Sequence, residues 1–76
     1  MYDLMNEFEF VPMSKQELAQ MYAPHLTPHS AVNRLVTWMG RNPKLTKELA
    51  ANGYRKRLRV LSARHVELIV KYLGMP

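Results

Sequence analysis

The sequence predicts a small, mainly α-helical domain of about four helices with a two-stranded β ribbon. Four segments combine a capping residue with apolar residues at helical spacing, and two short runs of strand-forming residues stand far apart in the chain. The chain of 76 residues is long enough for one thin hydrophobic core. We therefore expect a single domain over residues 1–76, with residues 1–6 flexible at the N-terminus.

The first helix is predicted over residues 14–22, SKQELAQMY. Ser14 and Glu17 are three residues apart, which is the spacing of a reciprocal capping box. Three apolar side chains recur at helical spacing on one face: Leu18, Met21 and Tyr22. The helix must end before Pro24, because proline disfavours helical geometry in the residue that precedes it.

A second helix is predicted over residues 28–40, with Thr27 as its N-cap and Pro28 in its first position. The expected buried stripe consists of Ala31, Leu35, Trp38 and Met39. Val32 and Val36 flank this stripe. We expect Trp38 to lie in the core, with stacking on a nucleobase as the lesser alternative.

The third and fourth helices carry the same kind of start signal. Asn42-Pro43 precedes a short helix over residues 43–51, and Ser62 caps a helix over residues 63–73. The apolar stripe of the last helix is Val66, Ile69, Val70 and Leu73.

Two strands are predicted, over residues 7–11 (EFEFV) and 56–61, and we expect them to pair antiparallel. Strict alternation would put Leu58 and Val60 on one face of this strand. The other face would carry Arg57, Arg59 and Leu61. Glu7 and Glu9 would then lie opposite the arginines and reduce the positive charge of that surface.

Charge is distributed unevenly along the chain, whose net charge is +5. Residues 1–13 hold three acids and no Lys or Arg, whereas residues 34–64 hold nine Lys and Arg residues against Glu48 alone. A block of positive charge in a small domain is typical of proteins that bind polyanions. A solvated basic face without a partner is the alternative.

Two capped helices joined by a short turn, followed by a basic segment and another helix, resemble a helix-turn-helix DNA-binding layout. The exposed side of the second helix carries the side chains that would face a DNA groove: His29, Ser30, Asn33, Arg34, Thr37 and Arg41. A second group of cations would contact phosphates: Lys44, Lys47, Arg55, Lys56, Arg57 and Arg59. The alternatives are an ordinary solvated helix face and a charged edge strand that resists aggregation.

Other classes of protein find little support in the sequence. No Ser/His/Asp set or glycine-rich phosphate loop is evident, so we do not expect an enzyme or a cofactor. His25 and His29 are separated by Pro28 and lack further ligands, so we expect no metal. We expect His65 to be a surface or packing residue, and we expect three tyrosines to be half-buried with hydroxyls in water: Tyr22, Tyr54 and Tyr72.

Localisation is predicted from what the chain lacks. There is no cysteine, no apolar run of about 18 residues and no signal-peptide pattern in the acidic start MYDLMNEFEF. These observations predict a cytoplasmic protein with no membrane partner.

Two stretches resemble a family of short Bacteroidetes proteins known as domain of unknown function 4248: ELAQMYAPHLTPHSAVNRLVTWMGRNPKL and NGYRKRLRVLSARHVELIVKYLGMP. The resemblance covers about residues 8–76 and implies no activity. A looser resemblance, to the winged helix-turn-helix of excisionases and MerR-type regulators, rests on an ELA-type first helix, a second helix ending near Trp38 and a basic wing. The turn APHLT is longer than the usual link of such motifs.

From these observations we expect a nucleic-acid-binding module for duplex DNA, acting as a regulator or an excisionase-like accessory protein. A homodimer or a protein partner would supply further specificity. The alternative is a protein–protein adaptor that docks through its basic face, or self-associates through Val32, Val36 and Tyr72.

Overall fold

The computed structural model describes residues 10–76. Within this range the chain is mainly helical, with four α-helices and one two-stranded antiparallel sheet, so the predicted fold class is confirmed. The elements follow in the order β1 (Met13–Ser14), α1 (Lys15–Tyr22), α2 (Pro28–Gly40), α3 (Pro43–Ala51), β2 (Val60–Leu61) and α4 (Ala63–Leu73).

Each helix begins after its predicted capping residue: Ser14, Thr27, Asn42 and Ser62. The capping box of α1 is complete, because Glu17 N–H donates to Ser14 Oγ at 3.0 Å and Ser14 N–H donates to Glu17 Oε1 at 2.9 Å. Pro28 and Pro43 stand at the first helical positions, where their missing N–H has no helical partner to lose. These local signals place the ends of the helices.

All four helices and β2 contribute to one hydrophobic core. Its largest fully buried side chains are Leu18, Leu35, Leu45, Leu49, Leu61, Val66, Leu68 and Ile69. Helix α1 packs chiefly on α2, and α3 packs on both α2 and α4. The buried face of α1 runs through Lys15, Leu18 and Ala19, which leaves Met21 44% exposed, so its predicted place on the buried face is wrong.

The ribbon is shorter than predicted and its first strand lies further along the chain. Met13 pairs with Leu61 and Ser14 pairs with Val60. Phe10 and Val11 precede the first strand, and the rest of the predicted strand, residues 7–9, lies outside the described residues. The strand begins after Pro12, which has no N–H to donate to a ladder.

The second strand is also shorter than predicted. Val60 is 61% exposed and Leu61 is fully buried, so these two residues lie on opposite faces as predicted. Residues 56–59 are not part of the strand, because a turn precedes it in which Leu58 N–H donates to the Arg55 carbonyl at 2.9 Å. Strict alternation applies only to continuous extended backbone, so the predicted pattern does not extend back through these residues.

No helix within residues 10–76 is long and apolar enough to cross a membrane.

Candidate nucleic-acid interface

All twelve residues predicted to contact nucleic acid are exposed. Five lie on the outward side of α2 and a sixth, Arg41, is its C-cap; together they are here called the α2 face: His29, Ser30, Asn33, Arg34, Thr37 and Arg41. Four lie in the connection between α3 and β2, here called the basic loop (residues 54–59): Arg55, Lys56, Arg57 and Arg59. Lys44 and Lys47 lie on α3.

The α2 face follows from the helical period. Ala31, Leu35 and Met39 are buried at i, i+4 and i+8, which turns the opposite side of the helix to solvent. Asn33 and Thr37 lie one turn apart on that side, and Thr37 Oγ1 donates to the Asn33 carbonyl at 2.9 Å. The Thr37 hydroxyl is therefore engaged with its own helix, while the Asn33 side chain is exposed.

The basic loop lies beside the first half of α2. A groove, here called the basic groove, is lined by His29 and Val32 of α2, by Lys56 to Val60, and by Ser14 to Gln16. Three cations of the loop, Lys56, Arg57 and Arg59, and one edge of the α2 face thus border the same concave surface. Neither Arg55 nor the two lysines of α3 line this groove, although all three are exposed.

Lys15 holds the basic loop in place, and sequence reasoning did not single it out. Its side chain is 6% exposed, and its Nζ donates to the Lys56 carbonyl at 2.9 Å and lies 4.9 Å from the centroid of the Tyr54 ring. Its backbone N–H donates to the Arg59 carbonyl at 2.8 Å. The start of α1 is therefore hydrogen-bonded to the loop at two points. The sequence indicated this contact only weakly, through a lysine next to the Ser14 cap.

His65 supports the other end of the loop from the start of α4. The ring is 5% exposed; Nδ1 accepts from Ser62 N–H at 3.2 Å, and Nε2 lies 2.8 Å from the Asn52 carbonyl. Because Nδ1 accepts, Nε2 carries the proton and donates to Asn52. Tyr54 packs edge-on against this ring, with the centroids 5.8 Å apart. Of the two roles predicted for His65, surface or packing, the structure shows packing, and the predicted half-buried state of Tyr54 is confirmed.

Positive charge dominates the described surface. Residues 10–76 hold all eleven Lys and Arg residues of the chain and three of its six acids. Each of those three carboxylates has a local partner: Glu17 the Ser14 cap, Glu48 the Tyr72 hydroxyl and Glu67 the Arg64 guanidinium. Within residues 10–76 the cations of the basic loop make no ion pair. The predicted pairing with Glu7 and Glu9 lies outside the described residues.

Trp38 is only partly buried, so its predicted place in the core is wrong. Its neighbours Leu35 and Met39 are turned inward, whereas Trp38 lies at the border of the α2 face and contacts the edge of Tyr22, with ring centroids 6.2 Å apart. The Arg34 guanidinium lies 5.9 Å from the centroid of the indole. The α2 face is therefore bordered by the Trp38 ring, which lies close to the Arg34 guanidinium.

Tyr22 and Tyr72 are half-buried as predicted, but both hydroxyls have protein acceptors in place of water. The Tyr22 hydroxyl donates to the Gly74 carbonyl, and burial raises the pKa of Tyr22 to about 12. The Tyr72 hydroxyl donates to Glu48, and this hydrogen bond raises the pKa of Tyr72. Both bonds tie the C-terminal end of α4 to other helices. No group of three or more His, Asp or Glu side chains comes together in the described part of the chain.

Fold and surface together define a class: a small, mainly helical domain with a large excess of exposed cations beside one helix. Residues 10–76 match the family model described as "Domain of unknown function (DUF4248)", and the chain belongs to this family. The predicted resemblance to that family is confirmed. No curated protein and no solved structure matches the chain.

Proposed function

We propose that this protein is a nucleic-acid-binding module for duplex DNA, acting in the cytoplasm as a regulator or accessory factor and not as an enzyme. The observation that supports this most is the basic groove, where Lys56, Arg57 and Arg59 lie beside His29 of the α2 face. A layout of paired helices with a basic flank is the helix-turn-helix arrangement of many DNA-binding domains.

The dimensions of α2 suit the major groove. Its thirteen residues span about 20 Å, and a helix with its side chains is about 10–12 Å wide, close to the width of the groove. Asn33 and Arg34 are the side chains on this face that can make bidentate contacts to adenine and guanine, respectively. In the proposed complex they read base edges, and His29 and Ser30 lie at the entering end of the helix.

The basic loop has the complementary task. Its guanidinium and ammonium groups make no ion pair within residues 10–76, so they are available to phosphate oxygens. In the proposed complex they hold the duplex backbone beside α2 and fix its register without reading sequence. Lys44 and Lys47 would add contacts at the far side of α3. A chain of this size covers few base pairs, and a second copy would add specificity.

The test is a titration of a labelled duplex of about 20 base pairs, which gives about one helical turn to each of two copies. Binding is measured by fluorescence anisotropy at 50 and 200 mM KCl. Four phosphate contacts give a slope of log K against log salt of about −3.6, a loss of roughly 150-fold between these conditions. The double variant Arg57→Ala with Arg59→Ala should reduce the slope by about 1.8.

A charge-matched control is Arg64→Ala with Lys71→Ala, since both cations lie on α4 and neither lines the basic groove. This control should weaken binding mainly at 50 mM KCl, where charges are less screened, and should therefore change the slope far less than the double variant in the basic loop. Equal effects of the two double variants would refute the assigned surface. Undetectable or salt-insensitive binding would refute the function and favour the protein–protein adaptor.

A further inference from the structure

A second concave surface lies at the other end of α2 from the basic groove. This open depression, here called the aromatic recess, has a volume of about 480 Å³ and is lined by Tyr22, Trp38, Arg41, Asn42, Tyr72, Leu73 and Met75. Three aromatic rings from three different helices therefore border one surface, together with a guanidinium group.

The recess is continuous with the α2 face. Trp38 and Arg41 line both the recess and the neighbouring depression that contains Ser30, Asn33, Arg34 and Thr37. Trp38 is the only tryptophan of the chain and does not belong to the hydrophobic core. The Arg34 guanidinium lies 5.9 Å from the centroid of the partly exposed indole, and Arg41 lines the same recess. Aromatic rings beside positive charge are suited to a planar base that carries a phosphate.

We propose that the aromatic recess binds one unpaired nucleobase, with Arg41, which lines the recess, holding an adjoining phosphate. This inference rests on the proposed function and specifies its substrate as a duplex that carries unpaired bases, such as an overhang or a fork. Stacking on aromatic side chains requires a free base face, and both faces of a base within an intact duplex are covered by its neighbours.

The charge of the recess favours a nucleic acid over a protein as its occupant. Tyrosine, tryptophan and arginine are also common at protein–protein hot spots. No carboxylate of residues 10–76 lines the recess. Glu48 contacts Tyr72, which is a lining residue, but its carboxylate accepts the hydrogen bond from the Tyr72 hydroxyl. A surface with an arginine and three aromatic rings, lined by no carboxylate of residues 10–76, matches a base and its phosphate.

The experiment compares three DNAs of equal charge in the paired region: a blunt duplex, the same duplex with a short single-stranded overhang, and that overhang built from abasic sites. The emission of Trp38 reports on the recess directly, because it comes from one site. We expect the overhang to quench this emission and to bind on the order of tenfold more tightly than the abasic overhang, which carries the same phosphates.

Variants separate stacking from charge. Trp38→Ala should abolish the preference for the base-bearing overhang over the abasic one, measured by anisotropy, while Trp38→Phe retains part of it. Met21→Ala, at an exposed apolar residue of α1, is the control and should leave the preference unchanged. If Trp38→Ala does not fold, as judged by circular dichroism, the affinities of the wild-type protein for the two overhangs still show whether the recess binds a base.

The outcomes also separate this inference from the proposed function. Salt-dependent binding of the blunt duplex, with equal affinity for both overhangs, would refute base binding by the recess and leave the proposed function supported. Quenching by the base-bearing overhang without binding of the blunt duplex would support the recess and refute duplex binding. Unchanged Trp38 emission with every DNA would overturn the recess.

Discussion

The substitution Lys15→Met tests how the basic loop is held in place. Methionine preserves most of the volume of the lysine stem and removes only the ammonium group and its interactions. The lost contacts are the hydrogen bond from Nζ to the Lys56 carbonyl, at 2.9 Å, and the interaction with the Tyr54 ring. The backbone hydrogen bond to Arg59 remains, because it does not involve the side chain.

The magnitude follows from these contacts. A hydrogen bond from a charged donor contributes about 1.5–3 kcal/mol, and a partly desolvated cation–π contact adds about 1 kcal/mol. Removal of a buried charge also recovers part of its desolvation cost, which acts in the opposite direction. We expect Lys15→Met to lower the free energy of unfolding by about 2 kcal/mol and the Tm by roughly 8–16 °C.

Thermal and urea unfolding, followed by circular dichroism at 222 nm, measure this loss. Lys44→Met is the matched control, since Lys44 is an exposed lysine in the first turn of α3, and its effect should stay within about 0.5 kcal/mol. Hydrogen exchange adds a local readout: the Leu58 amide, which bonds to Arg55, should exchange faster relative to core amides. A variant as stable as the wild type would show that the desolvation cost outweighs the contacts and would refute the assigned role.

Two further predictions concern carboxylates. The hydrogen bond from Ser14 N–H lowers the pKa of Glu17 below its ordinary value of 4.5. The cap therefore stabilises the fold above that value, and this stabilisation is lost as the pH falls through the folded pKa. Glu17→Gln should flatten the fall in Tm between about pH 5 and 2, and an unchanged acid profile would contradict this. Replacing Glu7 and Glu9 by glutamine raises the net charge from +5 to +7 and should tighten duplex binding at low salt, with the gain vanishing near 1 M salt, whereas unaltered affinity at low salt would contradict an electrostatic role for these acids.

The helices could be predicted from the sequence because their signals are local. A cap and the residue three positions later meet whatever the rest of the chain does, as Ser14 and Glu17 illustrate. The apolar period likewise identified the outward side of α2, and all six residues predicted to lie there are exposed. For the same reason Trp38 was misplaced, since it stands at the margin of a stripe, where the period alone does not distinguish core from rim.

The ribbon and the loop could not be predicted because they depend on contacts distant in sequence. The run from Arg55 to Leu61 has strand-forming residues, but a turn interrupts it and only Val60–Leu61 finds a partner. The burial of Lys15 depends on a carbonyl 41 residues away, which no local pattern indicates. The position of the candidate site was therefore partly predictable from charge, whereas the attachment that shapes it was not.

The attachment has a physical cause in the composition of the loop. Four cations within five positions repel one another, and no carboxylate of residues 10–76 offsets that repulsion. A loop of this kind would extend into solvent unless other parts of the chain held it. Lys15 holds its backbone at Lys56 and Arg59, and His65 packs against the Tyr54 ring. Stability and binding should therefore separate. Loss of the Lys15 ammonium group removes one of these attachments and lowers the stability of the fold. Loss of the Arg57 and Arg59 cations relieves repulsion, so it should leave the fold at least as stable while weakening its binding to a polyanion.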